Sequence, residues 1–182
     1  SRDPVFTTPA LSIGTHTIVL RVADDEAFWS EEARAVLLVG EPPQGGELIL
    51  DNGQPGTSFT GVWKPSGGPG PYGAASLYSR DAGTLYLFEA RLPEAGTYDV
   101  YAWWTQYASR TPAAAYTIAS AAENLTVTVD QRTNGSQWNL LGSYALGATG
   151  RVTLTSAGGG YTTSADAVRW VFRGEGGSAP PP

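Results

Sequence analysis

The densest run of chemistry-bearing residues is Tyr98-Asp99-Val100-Tyr101-Ala102-Trp103-Trp104-Thr105. Side chains alternate along a strand, so Tyr98, Val100, Ala102 and Trp104 share one face while Asp99, Tyr101 and Trp103 share the other. One face must be core, and rings on the other face can stack on the C–H faces of a sugar. Tyr101, Trp103, Gln131 and Asn139 form the expected glycan platform, with the amides serving sugar hydroxyls. The competing reading buries both sets of rings inside a sandwich. Arg132 lies in Gln131-Arg132-Thr133-Asn134-Gly135, where Asn134-Gly135 can supply the positive φ of a tight turn. An exposed arginine there is a directional donor for a carboxylate on an acidic polysaccharide or a neighbouring protein.

Catalysis would have to come from carboxylates. His16 is the sole histidine, and it falls in an alternating strand on the side of Ile18 and Leu20. There is no cysteine, no Gly-x-Ser-x-Gly elbow and no histidine cluster for zinc. Asp99, Asp130 and Asp166 could in principle supply the paired acids of a glycosidase. The plainer reading ties Asp130 and Asp166 to backbone amides at strand ends and turns Asp99 outward. Asp24, Asp25 and Glu26 could hold calcium, but three successive acids at a turn read as solvated. Asn124-Leu125-Thr126 and Asn134-Gly135-Ser136 fit the N-glycosylation acceptor pattern, which has little force in a bacterial protein. We therefore expect no catalytic residue, no metal and no cofactor.

The elements that must position these residues are strands. The chain has 182 residues, 23 glycines and 13 prolines, with 15% charged and 11% aromatic residues. This composition fits many short strands joined by tight turns, and no segment carries an apolar stripe at helical spacing. A net charge of −6 repels phosphate backbones, so nucleic acid is not an expected partner. No apolar run reaches the roughly 18 residues that a spanning helix needs, so membrane insertion is not expected. The richness in Ser, Thr, Gly and rings predicts a secreted bacterial protein, with any signal peptide outside this chain.

Strands are expected from His16 to Val22 and from Ala33 to Val39, joined at Asp24 to Glu26, with an extended arm or edge strand at Val5 to Thr8. The run Glu41-Pro42-Pro43-Gln44-Gly45-Gly46 breaks every regular pattern and marks a boundary. Beyond it, nine strands are expected: 47–50, 59–63, 84–90, 97–105, 114–119, 125–130, 138–146, 151–155 and 166–172. The fold class is all-β, a jelly-roll-like β-sandwich over 47–173. A partial β-unit precedes it over 1–41, a linker spans 42–46, and a Gly/Pro-rich tail covers 174–182.

Several motifs stand in an order that resembles a known family: Asp51-Asn52-Gly53, Phe59-Thr60-Gly61-Val62-Trp63, Tyr72-Gly73, Ala95-Gly96-Thr97 running into the ring-rich strand, Gln137-Trp138-Asn139-Leu140-Leu141-Gly142, and Ala165-Asp166-Ala167-Val168. They resemble the golvesin-type domain, a carbohydrate-binding-like module at the ends of bacterial xanthan-lyase-like and other secreted proteins. The resemblance implies an exported β-sandwich with a glycan-binding role and supplies no catalytic residues. Residues 1–41 resemble the closing strands of an immunoglobulin-like or PKD-like sandwich whose opening strands are missing.

Two functions follow. Unpaired strands call for a partner, so the first expectation is an extracellular fibre or scaffold subunit, a homopolymer joined by β-strand complementation through Val5, Phe6, Ile18, Leu20 and Val22. Head-to-tail addition of that kind does not close and gives filaments. The alternative is a carbohydrate-binding module of a larger secreted protein, with polysaccharide as partner.

Overall fold

Apolar and polar residues alternate through β1 (Gly14–Leu20) and β2 (Ala33–Val39), which pair antiparallel with Ile18 opposite Ala35 and Leu20 opposite Ala33. The computed structural model describes residues 14–26, 28–39 and 46–174, with backbone alone at 14–16 and 35–39. The chain divides into two compact units, Ser1–Pro42 and Pro43–Pro182. In the first, the hairpin turn closes on Asp24, whose Oδ1 accepts the backbone N–H groups of Glu26 and Phe28 at 3.0 and 2.9 Å. The described apolar side chains are exposed: Ile18 is 40% exposed, Leu20 61%, Val22 61%, Phe28 70% and Trp29 62%. Val5 and Phe6 lie outside the described residues, as do the linker up to residue 45 and the tail beyond Gly174.

The second unit contains, among the described residues, β3 (Glu47–Asp51), β4 (Thr57–Phe59), β5 (Lys64–Ser66), β6 (Ser76–Ser79), β7 (Leu85–Arg91), β8 (Gly96–Trp103), β9 (Ala114–Ala119), β10 (Asn124–Val129), β11 (Asn139–Leu146), β12 (Thr149–Thr155), β13 (Thr163–Ala165) and β14 (Ala167–Gly174). They build a five-stranded sheet in the order β10-β9-β12-β7-β4, a four-stranded sheet β11-β8-β14-β3, and a three-stranded sheet β13-β6-β5. Every pairing between these strands is antiparallel. The fold is the all-β sandwich expected from the sequence.

The two larger sheets meet over one apolar core. Tyr86, Phe88, Tyr116, Ile118, Val152 and Leu154 come from the five-stranded sheet, and Tyr98, Val100, Val168 and Trp170 from the four-stranded sheet. Burying rings of this size supplies a large share of the hydrophobic driving force, at about 1.5–3 kcal/mol per large apolar side chain. Along β8 burial alternates residue by residue, so Asp99, Tyr101 and Trp103 stand on the outer face of the four-stranded sheet.

Two expectations need correction. The strand foreseen at 59–63 is divided: β4 ends at Phe59, the chain bends through Gly61, and β5 starts at Lys64. The short strands β6 and β13 were not foreseen, because Ser76–Ser79 and Thr163–Ala165 span only four and three residues with no apolar alternation to announce them. Two of their buried hydroxyls meet at Thr105, whose Oγ1 lies 3.1 Å from Ser76 Oγ and 3.0 Å from Ser164 Oγ, while Ser79 Oγ accepts from Thr84 Oγ1 at 2.9 Å.

Candidate functional site

The outer face of the β11-β8-β14-β3 sheet gathers rings from three places in the sequence and an arginine from a fourth. Tyr101 and Trp103 project from β8, and Arg169 of β14 stands opposite Tyr101 in register. The Arg169 guanidinium carbon lies 4.4 Å from the Tyr101 ring centroid and 4.8 Å from that of Trp138, so a planar cation is stacked between two rings. Trp138 precedes β11, and Tyr72 comes from the loop between β5 and β6. Tyr72, Trp103 and Trp138 form a closed triangle of ring centroids, 5.6 Å from Tyr72 to Trp103, 5.1 Å from Tyr72 to Trp138 and 5.4 Å between the tryptophans. All five side chains are half-buried, held on one side and open on the other.

Hydrogen bonds fix the two loops that bring in Tyr72 and Trp138. Trp103 Nε1 donates to Gly70 O at 3.0 Å, and Ser136 Oγ donates to Pro69 O at 3.1 Å. Gly70 has φ +60°, and a Cβ there would collide with Ser136 Oγ, so the close approach of the loops requires glycine. The Tyr72 backbone N–H donates to Asp166 Oδ1 at 3.2 Å. Asn139 Nδ2 donates to the carbonyls of Asn134 and Gln137 at 2.8 and 3.0 Å, which holds the turn carrying Trp138. Within that turn the positive φ values fall on Asn134 (53°) and Ser136 (56°), not on Gly135.

The five residues singled out from the sequence therefore separate. Tyr101 and Trp103 are on the ring face. Asn139 lies beside it, its amide N–H groups turned toward the turn it braces. Gln131 is fully buried; its Nε2 donates to Tyr116 Oη (3.1 Å) and Ser164 O (2.9 Å), and its Oε1 accepts from Ser164 N–H (2.8 Å). No ligand can reach that amide, so its expected contact role is corrected to a structural one. Arg132 is exposed but folds back on Asp130, with Nε and Nη2 at 2.9 and 2.7 Å from the two carboxylate oxygens. Tyr72, Trp138 and Arg169 complete the face and were missing from the expected platform. Tyr72 and Trp138 belong to the motifs that carry the family resemblance, whereas nothing local marks Arg169.

Electrostatically the face is bordered by a second cluster. Asp99 accepts from the Ser143 hydroxyl and from Arg173 Nε (2.6 Å), and these bonds, the Ser143 one first, hold its carboxyl below the usual range. Asp130 is likewise lowered by Arg132. Asp166, 1% exposed, behaves oppositely: burial, with the nearby Asp51 charge second, pushes it up to about 8. Asp51 is raised by its own burial. Asp99 is bonded to Arg173, Asp130 to Arg132, and buried Asp166 to the Tyr72 backbone N–H. Among the described residues no three His, Cys, Asp or Glu side chains group as metal ligands, and no helix is long and apolar enough to cross a membrane.

Comparison with known proteins places this geometry in context. Residues 48–172 match the family model described as the Golvesin C-terminal domain. A curated relative, a xanthan lyase from Bacillus sp. (strain GL1), is 32% identical over 145 residues, covering 74% of this chain and 16% of the relative. The solved structure of a Paenibacillus xanthan lyase superposes with a TM-score of 0.67 at 27% identity, over 76% of this chain and 14% of that one. The chain thus spans about a sixth of the relative's length. The match begins at residue 48 and leaves the immunoglobulin-like reading of residues 1–41 as an expectation.

Proposed function

The chain belongs to the Golvesin C-terminal domain family, and from that premise we propose that it is a carbohydrate-binding module of a larger secreted bacterial protein, binding polysaccharide on the outer face of its four-stranded sheet. The observation that carries this reading is the triangle of Tyr72, Trp103 and Trp138. Three rings from three separate segments converge on the side of the sheet away from the core, with Arg169 and Tyr101 continuing the surface. Aromatic side chains lose little entropy on binding and offer flat apolar area to pyranose C–H groups, while the Trp138 indole N–H and the carbonyl groups at the rim serve the hydroxyls.

Both relatives are named as xanthan lyases, which makes xanthan the first polysaccharide to try. Affinity electrophoresis of the full chain through gels containing xanthan or neutral glucans tests the proposal, with Trp103→Ala and Trp138→Ala as controls. Retardation that both substitutions abolish is the expected result. Unretarded migration in every gel, or retardation indifferent to both substitutions, would sink the ring face as a glycan site.

The fibre reading, first in order from the sequence, becomes the second. Its support is the two-stranded hairpin of the first unit, where Leu20, Val22, Phe28 and Trp29 are each more than 60% exposed. An isolated hairpin of two strands is at best marginally stable in water, and pairing with another copy would cover these side chains. The preceding part of a longer polypeptide does this as well as another copy, and the comparisons favour a module over a polymer.

A further inference from the structure

Next to the ring face, between β5, β6 and the segment 107–110, lies a cavity of about 230 Å³ whose lining includes Ser66, Tyr78, Arg80, Tyr107, Arg110 and Thr162. The protein carries a net charge of −6, yet this cavity is lined by two arginines and by no acid. Among the described residues five ion pairs form, and neither Arg80 nor Arg110 takes part in one.

Arg110 is only 4% exposed. Its Nε donates to Thr105 O (3.0 Å), its Nη1 to Thr162 Oγ1 (3.1 Å), and its Nη2 to Ser66 Oγ (2.7 Å) and Thr105 Oγ1 (2.8 Å). Every one of these acceptors is a neutral oxygen, and one Nη1 proton is left over from the five that a guanidinium carries. Taking a guanidinium out of water without a counter-charge is costly. Burial accordingly pulls the Arg110 pKa down, and the acid that acts on it, Asp166, is itself held protonated at neutral pH by its surroundings. Arg80 stands at the same ring as Arg110: the two guanidinium carbons are each 5.9 Å from the Tyr78 centroid. Two like charges at one ring beside an open cavity, with no acid paired to either, make the cavity favourable to an anion.

We propose that this cavity binds the carboxylate of a uronic-acid residue, with Arg110 fixed at the floor and Arg80 at the rim. The carboxylate part stands on the cavity itself; the sugar part rests on the glycan reading of the ring face. Continuity between the sites supports a single ligand. The loop that opens at Gly67 and Gly68 on the cavity runs directly to Tyr72 in the ring triangle, and Gly68 passes so close that a Cβ would come 2.8 Å from Thr105 Oγ1 and 3.1 Å from Arg110 Nη2. The cavity is smaller than the ~300–1,000 Å³ typical of drug-sized ligands, which suits one substituted end of a sugar. The remaining Nη1–H of Arg110 and the exposed guanidinium of Arg80 are charged donors, which match a carboxylate better than they match a hydroxyl.

The test follows arginine Nε–H and tryptophan indole N–H signals by NMR in the full chain. It titrates methyl glucuronide, methyl glucoside, inorganic sulfate and a neutral glucan oligosaccharide separately. The glucuronide should move the Arg110 and Arg80 signals while the glucoside leaves them in place, and Arg80→Gln should weaken that response about tenfold. Arg110→Gln should abolish it, but this variant also loses four internal bonds; exposed Arg80 therefore carries the comparison if Arg110→Gln does not fold. Indole shifts with the neutral oligosaccharide, combined with arginine signals unmoved by glucuronide, would overturn the cavity proposal and spare the ring face. Arginine shifts with glucuronide, without indole shifts from any glycan, would retain the anion site and overturn the ring face. A response stronger to sulfate than to glucuronide would overturn the uronic-acid assignment.

Discussion

The backbone N–H of Tyr72 donates to Asp166 Oδ1 at 3.2 Å, so a side chain of the buried interior holds one corner of the exposed ring triangle. The other carboxyl oxygen, Oδ2, is buried without a hydrogen-bond partner, which an ionised carboxylate tolerates poorly. Protein stability and the geometry of the ring face are therefore joined at one titrating group.

The first prediction concerns pH. Asp166 has a folded pKa of about 8 against an ordinary value of 3.8. Between these values the folded protein binds a proton that the unfolded chain does not, so this contribution to stability is complete below about pH 4 and is lost as pH rises to about 8. At about 1.4 kcal/mol per pH unit across that window, the loss is several kcal/mol. The charged groups acting on Asp166 are Asp51, which reinforces the effect, and Arg110, which opposes it. Urea unfolding across pH 5 to 9 should show the decline, and Asp166→Asn should flatten it. An unchanged slope in that variant would place the proton elsewhere.

The second prediction concerns Arg169. Its stacking between Tyr101 and Trp138 needs a planar cation, and lysine keeps the charge without the plane. Arg169→Lys should leave the fold intact, free Trp138 to faster quenching by acrylamide, and weaken glycan retardation several-fold. Quenching identical to the parent protein would show that Trp138 is held by Tyr72 and Trp103 alone.

How much of this was legible in the sequence depends on distance along the chain. The alternation in Tyr98 to Trp104 foretold which side of β8 would be core, because a strand's two faces are a local property. The partners of Trp103 were hidden. Trp138 and Tyr72 lie 35 and 31 residues away; the order β11-β8-β14 brings Trp138 and Arg169 to the same face, and the bonds of the 69–72 loop bring Tyr72. Gln131 shows the reverse error. An amide in a polar turn sequence reads as exposed, yet it fills the gap left by small β13 and pairs with Ser164 in place of a ladder bond. Arg110 had no local signal, since an arginine among Ser, Thr and Ala looks like any solvated one.

The third prediction follows from that error. Gln131→Ala would strand the N–H and C=O of Ser164 and leave a hollow beside Tyr116. Two buried unsatisfied groups at about 1–3 kcal/mol each imply a loss of about 3 kcal/mol. For a domain of this size that is a fall in Tm on the order of 10 °C, read by differential scanning calorimetry. Glycan affinity of the folded fraction should not change, whereas a ligand-contacting Gln131 would lose affinity at unchanged Tm.

The fourth prediction decides what covers the hairpin. If the exposed side of β1 pairs with another copy, the full chain should associate with rising concentration in sedimentation velocity, and Leu20→Lys should abolish association by placing a charge where Leu20 is 61% exposed. If the hairpin belongs to a sandwich completed by preceding residues of a longer polypeptide, the chain should stay monomeric, and extension of its N-terminus with that natural segment should protect the amides of β1 from hydrogen exchange. Association that survives Leu20→Lys would place the contact away from this hairpin. The two accounts separate because self-pairing depends on protein concentration, whereas completion within one polypeptide does not.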